Sequence, residues 1–206
     1  MFVGFNKEEE EGGEGKMVKE VFRGRILSSS FESGDRIVVG DWEDSPLGSF
    51  TNVMWADSDG NRTLLSPSSE HSEYVSSLYS FENVKVVPVS VERGSRTISV
   101  NADELSVSMS WGLSFPLMFP RPLWFISTVE NFFARVLFGT RTHGFANDGS
   151  EEWYSVRGIA WLNGATATLS GEEAGKMSRR TNTACFGFSE PPTRPAAIVL
   201  SSIIEK

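Results

Sequence analysis

The run Leu105-Ser106-Val107-Ser108-Met109-Ser110-Trp111 decides the fold class. Large apolar residues at 105, 107, 109 and 111 alternate with serines, and a period of two places one apolar and one small polar face on an extended strand. Outward from it, segments of similar character cover Val21 to Leu27, Arg36 to Gly40, Phe50 to Ala56, Arg62 to Leu65, Val84 to Glu92, Trp153 to Gly158, Ile159 to Leu169 and Ala196 to Ile204. Clusters of Gly, Asp, Asn and Ser separate them, the pattern of a mostly antiparallel sheet. The expectation is a mainly β (α+β) protein: an antiparallel β-barrel or strongly curved sheet with two flanking helices. Pro88 removes a ladder donor and so belongs at an edge or bulge. Asn163-Gly164 predicts a tight hairpin turn.

The first expected helix spans Pro67 to Tyr79, with Ser66 as cap and proline at the first helical position. The second spans Pro122 to Phe138 and stops at Gly139. At 100° per residue, Phe125, Ile126, Val129, Phe132, Phe133, Val136 and Leu137 form one apolar stripe that packs on the sheet.

Composition narrows the function classes. The 206 residues carry a net charge of −8, and six Trp with 15 Phe supply ample apolar surface for a core. Residues 1–16 hold five glutamates against Lys7 and Lys16 and read as a disordered acidic tail, leaving 17–206 as a single β-barrel-like domain. An acidic body argues against nucleic acid as a partner. Pro116, Pro120, Arg121, Pro122, Glu130 and Arg135 interrupt the apolar stretch from Trp111 to Gly139, so no membrane span is expected. A single cysteine and the absence of a signal-type N-terminus point to a cytoplasmic address.

Chemistry-bearing motifs are sparse. Asp57-Ser58-Asp59-Gly60-Asn61 opens like a calcium loop, but its sixth and twelfth places hold Arg62 and Ser68, so it reads as a hairpin turn. His71, His143 and Cys185 lack zinc-like spacing, and neither metal nor cofactor is expected. Nucleophile-elbow and phosphate-loop signatures are absent. Cys185, with Arg180 as its nearest basic neighbour, reads as a buried structural thiol. Arg179-Arg180 is either a solvated pair or a grip for an anion.

Two stretches carry a family resemblance. Ser45 to Trp55, "SPLGSFTNVMW", resembles the turn-and-strand motif of acetoacetate decarboxylase-like proteins, and Glu73 to Val86, "EYVSSLYSFENVKV", resembles their later helix-to-strand passage. The resemblance implies a cone-like β-barrel with helices outside and a ligand cavity inside. It also implies a departure: Glu82 and Asn83 stand in place of the family's lysine pair, Asn52 in place of its glutamate, and Lys85 lies out of register. A Schiff base needs a desolvated lysine amine, so no catalytic residue carries over.

The ligand-binding candidates are Asn52, Trp55, Tyr79, Glu82 and His143, for a small organic acid or acyl ligand held without Schiff-base decarboxylation. One alternative is an enzyme on the same scaffold with Glu82 or His143 as general base. Another is a non-catalytic interaction domain that docks a partner through the Phe-rich helix or a strand edge. The sequence leaves open whether the chain is an enzyme and whether it forms a homo-oligomer.

Overall fold

The structure, a computed structural model, describes residues 18–116, 122–131, 134, 140–182 and 184–206. Its first half contains β1 (Lys19–Phe31), β2 (Arg36–Asp44), β3 (Phe50–Ala56), β4 (Arg62–Ser66), α1 (Ser69–Leu78), β5 (Asn83–Val86) and β6 (Val89–Arg93). There follow β7 (Thr97–Ala102), β8 (Leu105–Trp111), β9 (Phe115–Pro116) and a helical segment α2 (Leu123–Phe125) that continues as a π-helical turn over Ile126–Glu130. The last part contains β10 (His143–Phe145), β11 (Glu151–Leu169), β12 (Glu172–Glu173), β13 (Met177–Ser178) and β14 (Ala196–Glu205).

These strands form one continuous sheet in the order β5-β4-β3-β2-β1-β14-β11-β8-β7-β6, with the four shortest strands attached off that path. The sheet is mixed, because β4 and β5 pair in parallel while the other pairings are antiparallel. It is strongly curved and not closed: β5 and β6 remain its two ends. Pro88 sits between these end strands, where its missing N–H costs no ladder bond.

Alternation explains the curl. Leu27, Val39, Val53 and Leu65 from one half of the sheet pack with Val100, Val107, Ala160 and Ala167 from the other in a single buried cluster. Such contacts require the two halves to face each other, so the concave side is filled by side chains. On the way round, Arg93 of β6 reaches Asp41 of β2 with two hydrogen bonds of 3.1 and 2.6 Å. The serines of β8 point to the opposite face, where Ser108 accepts from Ser99 at 3.0 Å.

The first helix begins later than expected. Its cap is Ser68, whose Oγ accepts from the His71 N–H, because Ser66 is committed to the parallel ladder opposite Val86. Val75 and Leu78 are buried against Phe22, Phe50, Leu64 and Ile204 on the convex side of the sheet. Burying each such side chain contributes about 1.5–3 kcal/mol, which fixes α1 over β1, β3, β4 and β14.

Two further expectations are corrected. Asn163-Gly164 does not turn the chain. β11 continues through it with an irregularity between Leu162 and Gly164, so one long strand changes partner from β14 to β8. Cys185 is exposed rather than buried, because the neighbouring Phe186 takes the buried place against Val38 and Ala56. Of the Phe-rich stripe, Ile126 is fully buried, while Phe132, Phe133, Val136 and Leu137 lie outside the described residues. Among the described residues, no helix is long and apolar enough to cross a membrane.

Candidate functional site

Directly under α1, on the convex face of the sheet, lies a cavity of about 100 Å³. A single water needs roughly 10–15 Å³ on such a measure, so the space suits a compact organic molecule or several waters. Its apolar wall includes Phe22, Trp42, Phe50, Val75, Leu78, Leu200 and Ile204. Its polar groups come from β3, β11, β14, the end of α1 and the segments 140–142 and 189–190. The cavity is therefore on the side of the sheet opposite the concave core.

Asn52 is almost fully buried on β3, directly opposite Gly40 of β2. The indole Nε1–H of Trp42 donates to its Oδ1 at 3.3 Å, which orients the amide so that the NH₂ is its remaining donor group. Gly40 makes this possible. A Cβ there would stand 2.7 Å from Asn52 Oδ1 and 2.9 Å from Trp42 Nε1.

Glu152 is the other buried polar anchor, with no accessible surface. Its Oε1 accepts from Ser202 Oγ at 2.5 Å and from the Tyr79 hydroxyl at 2.9 Å. The Tyr79 and Tyr154 hydroxyls lie 3.0 Å apart, so a proton on Tyr154 can bond Tyr79 while Tyr79 donates to the carboxyl. Two hydroxyls bond this carboxyl, a third stands behind Tyr79, and among the described residues no cation does. Burial therefore dominates and pushes the Glu152 carboxyl up to about 7, against the pull of its hydroxyl partners. Burial also drives both tyrosines well above their ordinary range, so the phenols remain neutral donors. The Tyr79 ring fits because residue 187 is glycine: a Cβ there would come within 2.6 Å of its Cδ1.

The segment 140–142 adds Arg141, exposed at the cavity and making no ion pair among the described residues. None of the four lysines among the described residues, 19, 85, 176 and 206, lines the cavity.

The five sequence candidates fall into three places. Asn52 and Tyr79 both line the cavity. Trp55 follows Asn52 by three residues and so points to the concave side, where its Nε1–H donates to Asp35 at 2.8 Å. Glu82 is exposed in an ion pair with Arg62, accepting from the Arg62 backbone N–H at 2.6 Å and from its Nε at 3.0 Å. The Arg62 side chain holds its carboxyl down at about 2. His143 of β10 bonds Glu151 through Nε2 at 2.6 Å and stacks near Trp153, outside the cavity wall.

The chain is similar to acetoacetate decarboxylases. One is the enzyme from Legionella pneumophila subsp. pneumophila str. Philadelphia 1, at 11% identity, with 90% of this chain and 82% of that chain covered and a TM-score of 0.38. A second acetoacetate decarboxylase structure matches at 11% identity, 90% and 84% coverage and a TM-score of 0.43. No protein-family model matches the sequence, and no curated protein matches it.

Sequence reading missed Glu152. It belongs to the pair Glu151-Glu152 at the start of a strand, which reads as a solvated run. The available signal was the period of two joining Glu152, Tyr154 and Val156, which places the acid on the same face as an aromatic and an aliphatic side chain.

Proposed function

We propose that the protein binds a small organic acid or acyl compound in the cavity beneath α1, without Schiff-base chemistry. The observation that carries this reading is the cavity itself: a partly open, largely apolar space whose wall carries an amide from β3 and, from β11, a carboxyl held by hydroxyl groups. The apolar part of the ligand lies against Leu78, Leu200 and Ile204. The Asn52 NH₂ and the hydroxyl-bound Glu152 address its carbonyl or carboxyl oxygens, and the absence of a lysine from the described wall supports a non-covalent mode.

The test is a calorimetric titration with butanoate. The wild-type protein binds it, Asn52→Leu weakens it by about tenfold through loss of one oriented donor, and a folded wild-type protein that binds no short-chain acid at all refutes the reading.

A second reading is favoured by one observation, the position of the Glu152 titration near neutrality. A carboxyl held at about 7 can take or give a proton at physiological pH, which would make it the general acid or base of an enzyme on this scaffold. Glu152→Gln separates the two: it abolishes turnover if Glu152 moves the proton, and alters only affinity if the site merely binds.

A further inference from the structure

Next to the inner cavity is a wider space of about 650 Å³, lined by Arg141, Arg180, Thr181, Asn182, Cys185 and Thr193 among others. The two spaces share Arg141, Ser189 and Glu190 as wall residues. The inner one is almost wholly apolar at its α1 end, whereas the outer one presents guanidinium, hydroxyl and amide groups. An apolar chamber that adjoins a polar one along a shared wall has the form of a site for a two-part molecule.

The charge of the vestibule opposes that of the whole protein. Glu190 is its only carboxylate among the described residues, and that charge is already matched from behind by Arg36, which is buried and ion-paired to it. Arg180 approaches the same carboxylate at only 3.5 Å, and Arg141 has no ion-pair partner among the described residues. Arg36 and Arg180 thus share the one carboxylate while Arg141 lines the same space beside them, in a chain whose net charge is −8. Two forked guanidinium groups with hydroxyl donors beside them suit the oxygens of a phosphate better than a single carboxylate does.

We propose that the vestibule binds the phosphate of an amphiphile whose apolar chain occupies the inner cavity. The inference rests on the cavity reading above and adds the class of head group. Such a phosphate could be carried by a soluble alkyl or acyl phosphate or displayed by a lipid; the recognition chemistry is the same.

The experiment compares 1-octanol, octanoate, octyl phosphate and inorganic phosphate as ligands of the full chain, with vesicles of phosphatidylcholine alone and doped with phosphatidic acid as separate arms. Octyl phosphate is expected to bind about tenfold tighter than octanol. That advantage is expected to shrink with added salt and to fall in the Arg180→Leu variant, whose side chain lines the vestibule and not the inner cavity and which therefore keeps its affinity for octanol. A soluble source is indicated if monomeric octyl phosphate suffices, and a lipid source if arginine-dependent binding requires doped vesicles. Equal affinity for octanol and octyl phosphate overturns the vestibule proposal while leaving the cavity reading intact. An octyl phosphate preference that survives Arg180→Leu undiminished overturns it too. Binding of none of the probes overturns both readings.

Discussion

Replacing Glu152 by glutamine has a consequence for stability that follows from where the carboxyl sits. In the unfolded chain it titrates at its ordinary value of 4.5, and in the fold burial raises it to about 7. The folded state thus holds this proton more tightly than the unfolded state. Stability contributed by the group is fully retained below pH 4.5, falls as pH rises between the two values and levels off above 7. At 1.36 kcal/mol per unit, the fully charged carboxylate costs the fold about 3 kcal/mol above pH 8, of which about 2 kcal/mol develops between pH 5.5 and 8.5. Glutamine has the same shape, can still accept from Tyr79 or Ser202, and does not titrate. Urea denaturation at pH 5.5 and 8.5 gives the stability difference between variant and wild type at each pH. The difference should move in favour of the glutamine form by about 2 kcal/mol on going to pH 8.5. A difference that stays constant across that range, or moves the other way, refutes the reasoning, because it would mean that the carboxyl is ionised in the fold throughout.

Other perturbations probe the frame around the site. Gly40→Ala drives a methyl group against the Trp42–Asn52 hydrogen bond, so it should cost about 1–2 kcal/mol in urea unfolding and weaken butanoate binding. Glu190→Gln leaves Arg36, 1% exposed, without a counter-charge and should cost about 3–5 kcal/mol. The paired change Arg36→Met/Glu190→Leu should recover most of that loss, which comparison of the two denaturation midpoints will show.

The alternation in Leu105–Trp111 reached the structure intact, since period two survives whatever the strand's partners are. Pro88 was legible for the same local reason: a residue without an N–H can only sit where no partner asks for one. Asn163-Gly164 misled because turn chemistry and bulge chemistry use the same residues. Here the long strand is held on both sides by β14 and β8, and the ladders override the local turn preference. Ser66 and Ser68 are equally good caps in isolation, and only the tertiary pairing with Val86 decides between them.

The site was less legible than the fold. Asn52 and Tyr79 come from segments whose polarity stood out locally, and both line the cavity. Trp55 lay one strand face away, a distinction that depends on register alone. Glu82 and Glu152 are both glutamates next to apolar residues, yet one is bonded by Arg62 at the surface and the other is enclosed by Tyr79, Tyr154 and Ser202. Apart from the period of two that joins Glu152 to Tyr154 and Val156, what distinguishes them lies far away in sequence: 20 residues for Arg62, and 73 and 50 for Tyr79 and Ser202.

A crystal structure of the protein soaked with 4-bromobutanoate locates a bound acid by the anomalous signal of its bromine. The predicted result is a bromine peak beneath α1, between Leu78, Leu200 and Ile204, with the carboxyl end toward Asn52 and Glu152. A peak elsewhere on the molecule, or an unchanged cavity at saturating ligand, would contradict the assignment of this cavity as the binding site.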